Sequence, residues 1–272
     1  MNEIMILIAM GAMLLVLGGI AGVLAGLLGV GGGIILVPAF LMVFTLLGFD
    51  SPDVMQMCLA TSLATIVVTS VRSVLAHDKR GAVDWAVLKT WSIGLGVGAV
   101  LGALTVSVLG SALLQAIFAV LAGLVGAYMT FGRSNWRVAQ RMPTGVLRAI
   151  YSAVTGFLSV LLGIGGGSLG VPLMSLHNVP IHRAVGTAAG FGLIIAVPSV
   201  FAFLFADVTG APPLTFGSVN LIAFGLVVIS TMITAPWGAA LAHRMDAAPL
   251  KRFFGIFLIL VALNMLRKVL FG

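Results

Sequence analysis

Charge is what this sequence has least of. Only 8% of its 272 residues are Asp, Glu, Lys or Arg, against roughly a quarter in soluble domains. Hydrophobic residues make up 61%, and the mean hydropathy is +1.23. This composition excludes a soluble domain and requires an integral membrane protein. Acidic residues are especially few: Glu3, Asp50, Asp53, Asp78, Asp84, Asp207 and Asp246 are all of them, and each falls in a loop or at the end of an apolar segment. With no carboxylate at mid-depth, a metal-cation transporter loses its usual ligands and a proton pump its usual relay. Cysteine occurs once, at Cys58, which excludes an intrachain disulfide and a thiolate metal site and leaves a small core residue. The four histidines, His77, His177, His182 and His243, also sit at segment ends, so neither a metal nor another cofactor is expected. The alternation of a membrane β-barrel is missing. The N-terminus has no basic start and no small-residue cleavage pattern, so it is expected to stay as the first helix. A formal charge of +7 does not imply nucleic acid here, because basic residues of membrane proteins gather in cytoplasmic loops. The partner is the lipid bilayer.

What is present is a series of apolar runs at roughly 4–28, 33–48, 57–76, 85–108, 112–132, 146–162, 166–176, 184–206, 217–241 and 250–270. The expected fold is an all-α polytopic membrane protein with about eight full transmembrane helices and two short or broken segments, up to ten crossings. The short segments follow glycine clusters, and the clusters are duplicated. "GLLGVGGGIILVP" (26–38) recurs as "VLLGIGGGSLGVP" (160–172), with 10 identities in the 17 positions from Gly22 to Pro38 and Gly156 to Pro172. "ATSLATIVVTSVRS" (60–73) aligns with "GTAAGFGLIIAVPS" (186–199), "GAVDW" (81–85) with "GSVNL" (217–221), Gly102 with Gly238, and Phe118 with Phe254. The chain therefore divides into two membrane repeats, 1–140 and 141–272, of one integral domain.

If each repeat crosses five times, the second is inverted. That arrangement puts Arg72, Lys79, Arg80, Lys89, Arg133, Arg137, Arg141, Arg148, Arg183, Arg244, Lys251 and Arg252 on one face, 12 of the 14 basic residues. Four crossings per repeat would make the repeats parallel and split the basic residues 10 to 4. The positive-inside rule favours inversion.

Three glycines in a row would melt a helix, and irregular backbone at membrane depth survives only where protein covers it or water reaches it. Gly31, Gly32, Gly33, Gly165, Gly166 and Gly167 are thus expected to line a shared cavity. Pro38 and Pro172 are expected in the first turn of the helices that restart there. Helices starting inside the membrane aim unpaired N–H groups and the positive dipole end at that cavity, which suits a small anion. Thr61, Ser62 and Thr187, the hydroxyls following the breaks, are further candidate ligands, and Arg72 a candidate for drawing anions in or for snorkelling to the interface. Gly22 with Gly26, and Gly94 with Gly98 and Gly102, have the spacing of close helix packing instead.

At the paired glycine motifs, with "ATS" (60–62) after the first, the sequence resembles the sulfite exporter TauE/SafE family, also called toluene sulfonate uptake permeases, over essentially its whole length. The resemblance implies an inner-membrane transporter of small anions, chiefly sulfite, sulfonates and related organosulfur compounds, and not an enzyme. Gly186 and Ala188 replace the counterparts of Ala60 and Ser62, so the site is expected to be unequal in the two repeats. The leading expectation is a secondary carrier working by alternating access. The rivals are a passive anion channel and an intramembrane serine hydrolase using Ser168 as nucleophile and His177 as base. Import or export, coupling and assembly into a homo-oligomer stay open. An inverted second repeat puts the C-terminus outside, so a reporter active only in the cytoplasm and fused after Gly272 is expected to be inactive; an active fusion would favour parallel repeats.

Overall fold

Apolar runs in hydrocarbon must bond their own backbone, so they become helices. The structure, a computed structural model, describes residues 3–28, 32–132, 136–242 and 247–271; Gly31, Arg133 and Arg244 lie outside them. Among the described residues ten helices form: α1 (Glu3–Leu28), α2 (Gly33–Leu46), α3 (Val54–Asp78), α4 (Trp85–Val108), α5 (Ser111–Phe131), α6 (Gly145–Leu161), α7 (Gly167–Leu176), α8 (Ile181–Phe203), α9 (Leu221–Ala242) and α10 (Ala247–Phe271). A two-stranded hairpin, β1 (Thr215–Phe216) and β2 (Val219–Asn220), precedes α9. The fold is thus the all-α polytopic membrane class.

Seven helices are long and apolar enough to cross a bilayer. The 17 residues of α6 reach ~26 Å, somewhat short of the hydrocarbon thickness of ~30 Å, so the full-length helices number one fewer than the segment pattern suggests. The 14 residues of α2 and the 10 of α7 reach only ~21 and ~15 Å. Both short helices begin at their glycine cluster. Pro38 and Pro172 therefore lie inside them, not in the first turn as the sequence pattern suggested. The glycine N–H groups nucleate each helix five residues earlier, and each proline instead withholds a donor from the carbonyl four residues back, Ile34 and Ser168.

Packing crosses between the first five helices and the second five. The heaviest contacts are α1 with α9, α4 with α6, α5 with α10 and α3 with α8. Glycine makes the α4–α6 contact close: a Cβ at Gly98 would strike the Ala153 carbonyl, and one at Gly156 the Leu95 carbonyl. Direction can be read from such contacts. Gly94 meets Ser152 while Gly102 meets Phe157 and Val160, so α4 and α6 run parallel. Gly123 meets Ala262 while Gly126 meets Gly255, and Ser70 meets Gly192 while His77 meets Gly186, so α5 with α10 and α3 with α8 run antiparallel. The pair α3–α8 forms the centre, with 78% of the α3 span and 56% of the α8 span buried, against 28% for α1, α5, α9 and α10.

Two matched hydrogen bonds tie this crossing together. Asn220 N–H donates to Thr61 Oγ1 at 3.0 Å, and Asp84 N–H donates to Thr187 Oγ1 at 2.9 Å. Asp84 and Asn220 occupy aligned positions and each caps the following helix, Asp84 accepting from Ala86 and Val87 N–H and Asn220 from Ala223 N–H. The turn before each contains an aligned glycine with positive φ, Gly81 at +64° and Gly217 at +54°, a conformation that glycine adopts without strain. One end of the bundle holds Lys79, Arg80 and the exposed Arg183–Asp84 ion pair at 3.1 Å. The other holds Asp53, whose carboxylate accepts from Thr209 N–H and Oγ1–H at 2.9 Å each.

Thr61 and Thr187 are both fully buried, so removing either hydroxyl strands a backbone donor. Thr61→Val and Thr187→Val are each expected to lose about 1–3 kcal/mol, read as a lower melting midpoint in detergent. The double variant should lose about the sum, because the two latches share no residue.

Candidate functional site

The breaks after α1 and α6 meet each other. A Cβ on Gly33 would lie 2.6 Å from the Gly163 carbonyl and 3.0 Å from Ile164 Cα, so Gly33 is where the first break packs against the second. Ser62 Oγ–H joins them by donating to the Gly163 carbonyl at 2.7 Å, with the Gly33 carbonyl at 3.4 Å. Gly163, at φ +57°, makes the turn that lets α6 end and α7 begin. Gly32 and Gly166 stand at the N-caps of α2 and α7.

Beside this junction lies a cavity of about 400 Å³. Gly32, Gly165, Gly166 and Gly167 form its inner end; Thr65, Thr69, Ser70, Arg72 and Ser73 of α3 line one wall, and Thr231, Met232 and Pro236 of α9 another. Two helix N-termini thus border one space, each with backbone donors that its own helix does not use. The cavity reaches toward the end of the bundle that holds Lys79, Arg80 and Arg183, since Ala76 and His77 in the last turn of α3 belong to its lining. Among the described residues no carboxylate lines it and the only ion pair is Arg183–Asp84. Arg72 is exposed and belongs to the lining, so it adds positive charge to the same side as the backbone dipoles.

The threonine hydroxyls of the walls are turned to their own helices. Thr65 Oγ1–H donates to the Ser62 carbonyl at 2.6 Å, Thr69 to the Thr65 carbonyl at 3.1 Å, and Thr231 to the Val227 carbonyl at 2.7 Å. This is the usual behaviour of membrane threonines. As they stand they offer lone pairs; re-aiming any of them would add a donor.

Of the residues picked out from sequence, Gly32, Gly165, Gly166, Gly167 and Arg72 border the cavity, while Gly31 lies outside the described residues. Gly33, Ser62, Thr61 and Thr187 stand behind it, holding the junction and the crossed helices. The wall residues Thr65, Thr69 and Ser73 follow one another at four-residue spacing, so a helical stripe on α3 was available as a signal; Thr231 and Met232 on α9 carried none. Ser168 and His177 open and close α7, so they stand ~13 Å apart along it, beyond hydrogen-bond reach. The His177 ring instead contacts the Leu173 carbonyl through Nδ1 at 2.8 Å and packs edge-on against Tyr151. The geometry does not form a nucleophile–base pair.

Comparison with known proteins agrees with this architecture. The family "Sulfite exporter TauE/SafE" matches residues 14–265. A probable membrane transporter protein of Haemophilus influenzae is 28% identical over 237 residues, covering 86% of this chain and 90% of its own. The probable membrane transporter protein YunE of Bacillus subtilis is 28% identical over 260 residues, covering 88% and 91%. One of Methanocaldococcus jannaschii, MJ0441, is 27% identical over 163 residues, covering 60% and 61%. No solved structure matches.

The two N-cap glycines differ in the space around them. A methyl on Gly32 would meet Ala25 Cβ at 3.4 Å and the Ala21 carbonyl at 3.6 Å, ordinary contacts. On Gly166 it would strike Phe191 Cβ and lie 2.8 Å from the Ala188 carbonyl. Gly166→Ala is therefore expected to lower the melting midpoint by several degrees, the cost of overpacking, while Gly32→Ala melts near the parent; equal midpoints would contradict the close α7–α8 approach.

Proposed function

Because the chain belongs to the sulfite exporter TauE/SafE family, we propose that this membrane transporter is a secondary carrier of a small oxyanion, sulfite or an organosulfonate. The observation that carries the reading is the convergence of two helix N-termini and the Arg72 guanidinium on one cavity without a carboxylate. Sulfite and sulfonates present three acceptor oxygens and negative charge. Backbone N–H groups at helix starts supply donors and a favourable dipole without a buried cation that would need its own partner. A volume of about 400 Å³ holds the oxyanion with several waters, each filling roughly 30 Å³, or with a short organic tail.

The two sets of helices act as inverted repeats. The antiparallel course of the aligned pairs α3–α8 and α5–α10 supports this, because parallel repeats would lay aligned helices in the same direction. The basic end of the bundle is the cytoplasmic side by the positive-inside rule, so the cavity opens inward in the inner membrane. Its lining ends at the glycine junction, with no residue of the opposite end of the bundle among the described lining, which supports a carrier with alternating access over a continuous channel. The substrate contacts are the Gly32 and Gly165–Gly167 backbone with Arg72, and the α3 hydroxyls adjust around them.

Purified protein in proteoliposomes is expected to carry sulfite or a short sulfonate with saturable kinetics and to exchange it in counterflow. Arg72→Gln removes a charge-assisted contact worth about 1.5–3 kcal/mol, and should raise KM roughly ten- to a hundredfold with the melting midpoint kept. Unsaturable flux shared equally by chloride and sulfate would overturn the carrier reading, and an unchanged KM would remove Arg72 from the site.

A further inference from the structure

The aligned halves give cavity residues counterparts, and in five of these pairs one member lines the cavity while the other is fully buried. Ala25 corresponds to Ser159, Ser70 to Ala196, Ser73 to Ser199, His77 to Phe203 and Ala235 to Ala99. The first member of each pair lines the open cavity; every second member is 0% exposed. The backbone confirms the register of the last turns: Ala82 N–H donates to the His77 carbonyl at 3.0 Å and the aligned Ser218 N–H to the Phe203 carbonyl at 2.9 Å.

The buried set is held shut by α8 lying on α4. Phe191 stacks on Trp91 with ring centroids 5.8 Å apart, and Ser199 Oγ sits 2.8 Å from the Ile195 carbonyl and 3.5 Å from that of Ala99. At the matching place on the open side, Ser73 and Ala235 border empty space instead of each other. A second observation does not depend on the alignment. Ser159 Oγ is fully buried and has no hydrogen-bond partner, a state that the interior penalises because nothing replaces the lost water. Its counterpart Ala25 faces the cavity.

We propose that Ser159, Ala196, Ser199 and Phe203 of the second half with Ala99 of α4 form a second half of the anion path, closed in this conformation, in which Ser159 provides a hydroxyl contact once α8 parts from α4. The inference rests on the alternating-access reading above and names the surfaces that exchange. Opening moves Ser199 away from Ala99 while Ser73 closes on Ala235. The orphan hydroxyl is then satisfied by water or by an oxyanion oxygen. The exchanged path is also less polar than the observed one, with Phe191, Ile195 and Ala196 where Thr65, Thr69 and Ser70 stand.

The test exploits the single cysteine. In a Cys58→Ser background, Ser73→Cys, Ser159→Cys and Ala196→Cys are introduced singly, and sealed vesicles of each orientation are treated with a membrane-impermeant maleimide. Ser73→Cys should react from one face, and Ser159→Cys and Ala196→Cys from the opposite face. Oxidative cross-linking of an added Ala99→Cys, Ser199→Cys pair should slow labelling of Ser159→Cys at least tenfold, and reduction should restore it. Labelling of Ser159→Cys and Ala196→Cys from the same face as Ser73→Cys would overturn the proposal, as would no labelling of either while Ser73→Cys reacts fully. Ser159→Cys changes one atom and Ala196→Cys is an independent position, so a folding defect in one does not decide the result. Labelling requires no substrate: a wrong substrate assignment leaves the pattern intact, while anion flux without the pattern sinks only this inference.

Discussion

Every helix begins with backbone N–H groups that it cannot bond, and hydrocarbon has nothing to offer them. In most of this protein the difficulty is met at the ends of long helices, by caps such as Asp84 and Asn220 or by the aqueous interface. Before α2 and α7 it is met in the interior. There the two breaks press against each other, Gly33 on Gly163 and Ile164, with Ser62 joining them, and the donors left over border the cavity. The glycines do two jobs at once: they let the chains approach without side chains between them, and they leave the backbone bare toward the space where an anion is proposed to bind.

The crossed arrangement follows from the same requirement. A pair of half-length helices cannot shield itself from lipid, so full-length helices must surround it. They do so by exchange, α1 covering α9 and α6 covering α4, with α3 and α8 at the centre. Glycine and hydroxyl residues allow these contacts to be close. Without a strong hydrophobic drive between helices in lipid, close packing and interhelical hydrogen bonds carry the association, and the Thr61 and Thr187 latches are placed where the exchanging elements meet. Because each central helix has one neighbour packed tightly and another held off by the cavity, the aligned positions have two different environments in one conformation.

Much of this was legible in advance. Apolar runs located all ten helices to within a few residues, since hydropathy in a membrane protein reports a solvent boundary directly. The duplicated Gly-Gly-Gly and its spacing marked the breaks, because a helix interior does not tolerate that run. Other features misled for identifiable reasons. Proline suggested a first turn, but free glycine N–H groups allowed α2 and α7 to start before it. Thr61 and Thr187, duplicated and polar, suggested ligands; duplication preserves a structural latch equally well. The α6 run, 146–162, reads as a span from its apolar composition, yet a helix of 17 residues reaches only ~26 Å.

The sequence by itself determined the solvent, the helices, the two breaks and the excess of positive charge on one face, because each depends on local composition measured against a membrane. Only the tertiary structure decided which hydroxyls face the cavity, that Arg72 stands in it, and that Ser159 is left without a partner. Those depend on how α3, α8 and α9 are rotated and which neighbour each packs upon, and a duplicated sequence does not specify which of two aligned residues lines the cavity.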